Sequence, residues 1–325
     1  MNSFGQYFRL TTYGESHGLA VGGIIDGCPA DVPIDVSLVQ ADLARRAPLG
    51  KADCTARNEA DHVEWLSGLF EGRTLGTPIA FAIRNSDARS GDYEPLRHLF
   101  RPGHGDYAYY AKYHHRDWRG GGRSSGRETA ARVVAGAVAK QLPCLRSVVI
   151  HAVAEPPLPQ GVNQGGVVAC TINGLPAGVG EPVFDRLNAR LAAAMMSIPS
   201  AVGFEMGSGF AAARMSGLDY ADAWNPAAVG DDRQPLCLTN HCGGVQGGIS
   251  NGMPLFFRTA FHPVVTPVGQ PVHCRNEQGA VVALSLSGRH DLCHVHRLPV
   301  VVESMAALTL ADLLLADAAP KCHSY

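Results

Sequence analysis

Residues 128–141, ETAARVVAGAVAKQ, place alanine, valine or glycine on nearly every face of a helix. A surface helix keeps one polar face, so a helix of this composition has to be enclosed on all sides. A second segment, from Glu303 to Ala316, is apolar in the same way. Enclosing such helices takes layers of other structure above and below them, which 325 residues at 46% hydrophobic content can supply. The expectation is an α+β fold with central apolar helices packed against antiparallel sheets. Composition marks no boundary, so residues 1–325 read as one domain, with a flexible tail from about 317 to 325.

Short strands are expected over Phe8–Thr12 and Ala20–Asp26, then a turn and a helix from about Ser37 to Arg46. The same order returns downstream as VVACTIN, GLPAGVGEP and a helix from about Val183 to Met196. Both turns carry G-x-P-A-x-V, at Gly27 to Val32 and Gly174 to Val179. One six-residue match is a slender basis for two related strand-turn-helix halves, but it points that way.

Directly before the first enclosed helix stands RDWRGGGRSSGRE, with Arg116, Arg119, Arg123 and Arg127 threaded through glycines and serines. Ser125 and Glu128 have capping-box spacing, so the glycine loop is expected to end at a helix N-terminus. Unpaired amides, flexible backbone and arginine forks together suit an anion. A solvated arginine loop over a capped helix explains the same residues without a ligand. No Lys-Ser/Thr pair follows the glycines and no apolar strand leads into them, which excludes a Walker loop and a dinucleotide fingerprint.

The whole chain has 27 basic and 29 acidic side chains, so no general basic field is present for nucleic acid or anionic membrane. Nine cysteines without a C-x-x-C pair fit a reducing compartment. The N-terminus has no charged-then-apolar leader, and no uninterrupted apolar stretch is expected to cross a bilayer. A cytoplasmic protein is expected.

GESHG, residues 14–18, has the spacing of a hydrolase nucleophile elbow, but the β pattern LAVGGIID follows where a helix is required. His17 in this loop and His104 in RPGHGDY are both flanked by small residues, and an imidazole beside an anion site can donate a proton to a leaving group or cofactor. Taken singly, each also reads as a hydrogen-bonded structural histidine. GRHDLCHVH, residues 288–296, gathers histidines 290, 294 and 296, but no distant ligand completes a familiar zinc pattern, and no metal is expected.

GESHG, RPGHGDY, GGGRSSGRETAARV, GLPAGVGEPVFDRL, GGVQGGISNG and GRHD occur in one order from about Phe4 to Ala316. In this the chain resembles the chorismate synthase family. The resemblance implies a β-α-β sandwich assembling as a homotetramer, with no nucleic-acid partner. It implies a lyase that converts 5-enolpyruvylshikimate 3-phosphate to chorismate and phosphate by 1,4-elimination, in the shikimate pathway to aromatic amino acids. Reduced FMN is the implied cofactor, with NADPH only indirectly, as a source of reducing equivalents. By position, His17 would be proton donor to the departing phosphate, His104 would protonate reduced flavin, and Asp291 would assist loss of the ring proton. Arg46, Arg119 and Arg127, with Ser16, would hold the substrate. Arg123, Ser124, Ser125, Gly247, His262, Thr266 and Arg289 would hold the flavin.

The chain also departs from the family pattern. Ala52 stands where a basic residue is usual, with Lys51 beside it, and Val202 lies where a lysine is usual nearby. A variable stretch after the enclosed helix is short, around Pro143 to Gly166. Where relatives carry A-F-K-P-T-S-S, this chain has Ala260, Phe261, His262, Pro263, Val264 and Val265. Losing two hydroxyl hydrogen bonds to a phosphate costs on the order of 3 to 6 kcal/mol. Two other readings therefore stay open on sequence: a paralogue eliminating from another anionic cyclohexene, or a ligand-binding homologue without turnover.

Overall fold

The computed structural model describes residues 1–47, 61–86, 90–156, 163–228, 235–265, 271–285 and 293–318. Its helices are α1 (Val36–Arg46), α2 (Asp106–Tyr113), α3 (Thr129–Ala139), α4 (Leu187–Met196), α5 (Gly217–Tyr220) and α6 (Leu298–Ala318). One antiparallel sheet joins, in spatial order, Ser3–Phe4, Arg9–Tyr13, Ala20–Asp26, Ile79–Arg84 and Val63–Trp65. A second joins Ala201–Met206, Leu255–Phe261, Gly166–Asn173 and Val149–Ala154. A smaller ribbon pairs Val281–Ser285, Pro271–Asn276 and Leu99–Phe100.

Each large sheet turns one face inward. Leu10 and Thr12 are buried from the first, and Leu255, Phe257, Thr259 and Phe261 alternate inward from the second. Between the sheets, α3 packs on the first sheet and on α1, while α6 packs on α3, α4 and the second sheet. The expected arrangement of central apolar helices between antiparallel sheets is the one observed. From Thr129 to Ala139 only Arg132 is not fully buried. A Cβ on Gly136 would stand 2.4 Å from Cβ of Ser304, so glycine is what lets α3 and α6 touch backbone to backbone. In the two similar turns, Val32 and Val179 are both buried.

Polar groups in this core are paired. Glu303, on α6, accepts both arms of Arg45 from α1 at 2.7 and 2.8 Å, Lys140 at 3.1 Å and the Ala152 amide at 3.1 Å. Asp312, a little more than two turns along, accepts the amides of Gln6, Tyr7 and Phe8 and pairs with Arg190. These two carboxylates tie α6 to both ends of the sandwich.

Several boundaries differ from the sequence reading. The strand Ala20–Asp26 is as expected. Helix α4 starts at Leu187 instead of Val183, because Pro182 precedes a bend that leaves Phe184 93% exposed. Helix α6 starts five residues before Glu303, and with the short turn before it, Val295–Ala318 is by length and composition apolar enough to cross a membrane. The run is not an uninterrupted apolar stretch. Glu303 and Asp312 interrupt its apolar run in sequence, yet both are buried here by ion pairs, and most of the helix lies inside the protein. The tail from 319 onward lies outside the described residues.

Candidate active site

Ser16 and His17 lie on the loop between the strands Arg9–Tyr13 and Ala20–Asp26. A strand follows them, not a helix, which removes the nucleophile-elbow geometry. The arginine loop closes over them at Gly120. Its φ is +71°, and a Cβ there would stand 2.6 Å from Cδ2 and 3.0 Å from Nε2 of His17, and 2.9 Å from Oγ of Ser16. Only glycine admits that approach.

The arginines have distinct partners. Arg116 donates to the carbonyls of Leu96 and Leu99 and stacks on Phe100 at 5.3 Å, so it braces the scaffold. Arg119 grips Asp117 with Nε at 2.8 Å and Nη2 at 2.7 Å. Arg123 donates to Thr12 and to the Gly14 carbonyl, fastening the loop to the first sheet. Arg127 is buried and shares Asp61 with Arg46, which reaches the same carboxylate from the end of α1. Its Nε also donates to Asn85 at 2.8 Å, and the Asn85 amide donates to the carbonyls of Glu15 and Gly18 at 3.1 and 2.9 Å. Arg46 and Arg127 are thereby linked to the His17 loop.

A pattern of charge emerges. Asp61 serves Arg46 and Arg127, Asp106 serves Arg101 and Arg116, and Glu128 serves Arg132 and Arg123. Each of these carboxylates is shared between two guanidiniums. Burial pushes the Arg46 guanidinium down, Asp61 opposes this, and the nearby charges of Arg127 and Arg297 add to it. Burial pushes Asp61 up, but Arg46 and Arg127 outweigh it and hold its carboxyl below the ordinary range. Nε of Arg46 is buried with no hydrogen-bond partner among the described atoms. An anion would satisfy that donor.

The capping box is only half formed. Ser125 Oγ accepts the Arg127 amide at 3.2 Å, but Glu128 turns away to Thr12 at 2.7 Å and Arg132 at 2.8 Å. A short 3-10 turn, Gly126–Glu128, precedes α3 and uses its own amides. The expected capping box is thus corrected at Glu128, whose carboxylate pairs with Arg123 and Arg132 instead of the backbone.

His104 lies half-buried just before α2. A Cβ on its neighbour Gly105 would stand 3.3 Å from Ser124 Oγ, and one on Gly103 would stand 3.0 Å from Val265 Cβ. His104 therefore sits between the arginine loop and the end of the strand Leu255–Phe261. There Val265 packs on Gly103, Asn163 donates to the Val264 carbonyl, and His262 Nδ1 lies 2.6 Å from the Pro263 carbonyl. His262 stands edge-on to His294 at 6.4 Å, and His294 Nε2 is 2.7 Å from Ser200 Oγ. Gly247, at φ +63°, is exposed at a hairpin tip and a Cβ there would meet nothing within 4 Å, so the described contacts do not join it to the arginine loop. Thr266, Arg289 and Asp291, with His290 of the same cluster, lie outside the described residues. Among the described residues no group of three His, Cys, Asp or Glu is placed to hold a metal.

Asp61, Asn85, Tyr93, Arg101, Asp106 and Asp117 are site residues the sequence reading missed. Asp106 had a signal, adjoining His104 in GHGD. Asp61 and Asn85 had none, since their roles depend on distant arginines.

For a reduced flavin, the donor set is mixed. The exposed Ser124 hydroxyl beside Gly105, with Arg123 and the half-buried His104, fits an anionic, hydrogen-bonding ring system. The loop 262–265 offers His262 and backbone but no hydroxyl.

A family model described as chorismate synthase matches residues 8–155 and 159–315. A chorismate synthase from Porphyromonas gingivalis is 45% identical, the match covering 100% of this chain and 98% of that protein. One from Christiangramia forsetii is also 45% identical, covering 98% of this chain and 99% of its own. A solved chorismate synthase crystal structure superposes with a TM-score of 0.73 at 28% identity, covering 97% of this chain and 93% of that one.

Proposed function

The chain belongs to the chorismate synthase family, and from that premise we propose that it eliminates phosphate from 5-enolpyruvylshikimate 3-phosphate to give chorismate. It is a carbon-oxygen lyase of the shikimate pathway. The observation that carries the reading is the contact of Gly120 with His17, which seats a proton donor against the arginine loop.

Arg46, Arg127 and the more exposed Arg119 bind the substrate's carboxylates and phosphate. Asp61 and Asn85 orient Arg127, so its fork is set before substrate arrives. In the elimination a C–O bond to phosphate and a ring C–H bond break, and a ring double bond forms, with no net redox change. His17 gives its proton to the departing phosphate oxygen, and the imidazole is left neutral. Asp291 assists removal of the ring proton. Reduced FMN, when bound, would supply an electron-rich centre for the elimination. Arg123, Ser124, Ser125, His262, Thr266 and Arg289 would hold it, and His104 would keep a proton available to it. NADPH enters only as a source of the reducing equivalents.

Exposed Phe184, Phe210, Leu218 and Trp224 support assembly with other copies of the chain, as a homotetramer. Cys28, Cys144, Cys170, Cys237, Cys242 and Cys274 carry free thiols, in keeping with a reducing, cytoplasmic setting. The deciding experiment supplies reduced FMN anaerobically with 5-enolpyruvylshikimate 3-phosphate and measures phosphate and chorismate together. Equal release of both supports the lyase. Tight substrate binding without product would leave the binding homologue or the paralogue.

A further inference from the structure

We propose that Asn85 is a positioning residue for the elimination: its side-chain amide ties the turn that carries Ser16 and His17 to the Arg127 guanidinium, so that the proton donor and the anion clamp keep one geometry. This rests on the reading of His17 as proton donor and of Arg127 as a substrate ligand, and it adds the residue that joins them.

The place of Asn85 follows from the first sheet. Ala20 is paired with Arg84, the last residue of the strand Ile79–Arg84. One residue further on, the Asn85 backbone amide donates to the Leu19 carbonyl at 3.1 Å, so the pairing runs a step past the strand end and brings the Asn85 side chain to the base of the neighbouring loop. That loop is a tight turn. The Gly18 amide donates to the Glu15 carbonyl at 3.0 Å, which leaves Ser16 and His17 as the two central residues. Asn85 Nδ2 donates to the carbonyls at both ends of the turn, Glu15 at 3.1 Å and Gly18 at 2.9 Å. The turn cannot tilt without lengthening one of these bonds.

The other end of the same amide meets Arg127. Oδ1 of Asn85 accepts Arg127 Nε at 2.8 Å, and the carbonyl of the preceding Arg84 accepts Nη2 at 3.1 Å. Two adjacent residues thus set the guanidinium plane, and one of them also sets the turn. Both neighbours of Nδ2 are acceptors and the neighbour of Oδ1 is a donor, so only one orientation of the amide satisfies all three bonds. Aspartate in its place would keep the acceptor for Arg127 but turn a carboxylate oxygen on two carbonyls. Gly120 closes on the His17 ring from the arginine loop, and Tyr93 stands edge-on to it with centroids 4.8 Å apart. Those contacts limit the ring, whereas Asn85 sets the backbone that carries it. Proton donor and phosphate ligand must be in place at the same moment, and a misplacement of about 1 Å is worth about a hundredfold in rate.

The test compares the wild type with Asn85→Asp, which keeps an acceptor for Arg127 and removes both donors to the turn. In anaerobic, FMN-loaded protein the affinity for 5-enolpyruvylshikimate 3-phosphate should stay within about twofold while the single-turnover rate falls about a hundredfold. In a His17→Gln background the same substitution should change the rate by no more than about twofold, because the group it misplaces is already gone. Independently of turnover, amide hydrogen exchange of residues 15–18 should speed up about tenfold or more in Asn85→Asp, with α3 unchanged. Should Asn85→Asp fail to fold, Asn85→Ala takes its place in the double-variant comparison and the exchange measurement. Rate losses that simply add in the double variant, an Asn85→Asp affinity that falls in step with its rate, or unchanged exchange at 15–18 overturns the proposal. If the wild type makes no chorismate, the lyase reading fails, while the exchange measurement still decides whether Asn85 holds the turn.

Discussion

His17 and His104 sit half-buried on loops outside the hydrophobic core, the His17 ring against Gly120 and edge-on to Tyr93. Replacing either by alanine should therefore leave the melting temperature close to that of the wild type and slow anaerobic turnover by about 10²- to 10⁴-fold, the usual worth of a general acid. Stopped-flow rates and thermal melts on the same preparations check this, and a lowered melting temperature with an unchanged rate would return both to structural roles. Asp61 is the opposite case. It is 4% exposed and holds two buried guanidiniums, so Asp61→Asn should destabilise by about 3–5 kcal/mol, because a buried charge is left without its counter-charge. Its carboxyl is depressed on folding, so its contribution is fully present above the unfolded value of about 4 and is lost as pH falls from there toward the folded value. Denaturant melts at pH 7 and pH 3 should differ by less in Asp61→Asn than in the wild type.

Among the elements, α3 and the loop after the strand Leu255–Phe261 respond to substitution for different reasons. Alanine is the better helix former, yet Gly136→Ala should destabilise by about 1–3 kcal/mol, because the added methyl meets the Ser304 backbone and α6 cannot withdraw from a core packed on both sides. A stabilised variant in urea melts would mean that the two helices separate at no cost. The 262–265 loop contributes packing where relatives contribute hydroxyls: Val265 rests on Gly103 and Val264 is tied through its carbonyl. Oxidised FMN should bind weakly to the free protein. Val264→Thr combined with Val265→Ser should tighten it by about two to four decades, if each hydroxyl regains a charge-assisted bond of about 1.5–3 kcal/mol. A flavin titration reads this directly, and tight binding indifferent to the double substitution would sink it.

At the scale of the whole molecule, large apolar side chains remain on the outside. Leu218 is 90% exposed and Trp224 65%. A single chain of 34.4 kDa should not be the species in solution. Sedimentation is expected at the mass of four chains, and Leu218→Glu with Trp224→Glu should shift it toward smaller species without changing far-UV circular dichroism. A monomer at micromolar concentration, unaffected by those changes, would show that this apolar surface serves another purpose.

The central helices were legible in the sequence because enclosure on every face leaves a composition that no surface helix can carry, and ETAARVVAGAVAKQ has it. The strand Ala20–Asp26, the arginine loop and the two histidines were legible for local reasons: alternation, glycine content and side-chain chemistry. What each arginine does was not. Arg116 braces a turn, Arg123 pins a loop, and Arg127 shares Asp61 with an arginine some 80 positions earlier, though all three stand in one short run. The capping box misled because Glu128 had two long-range claimants, Thr12 and Arg132, and a charged partner outweighs an amide of its own turn. Local sequence determined which groups this protein has available. Only the tertiary structure decided which carboxylate each cation meets, since that pairing depends on where distant segments pack.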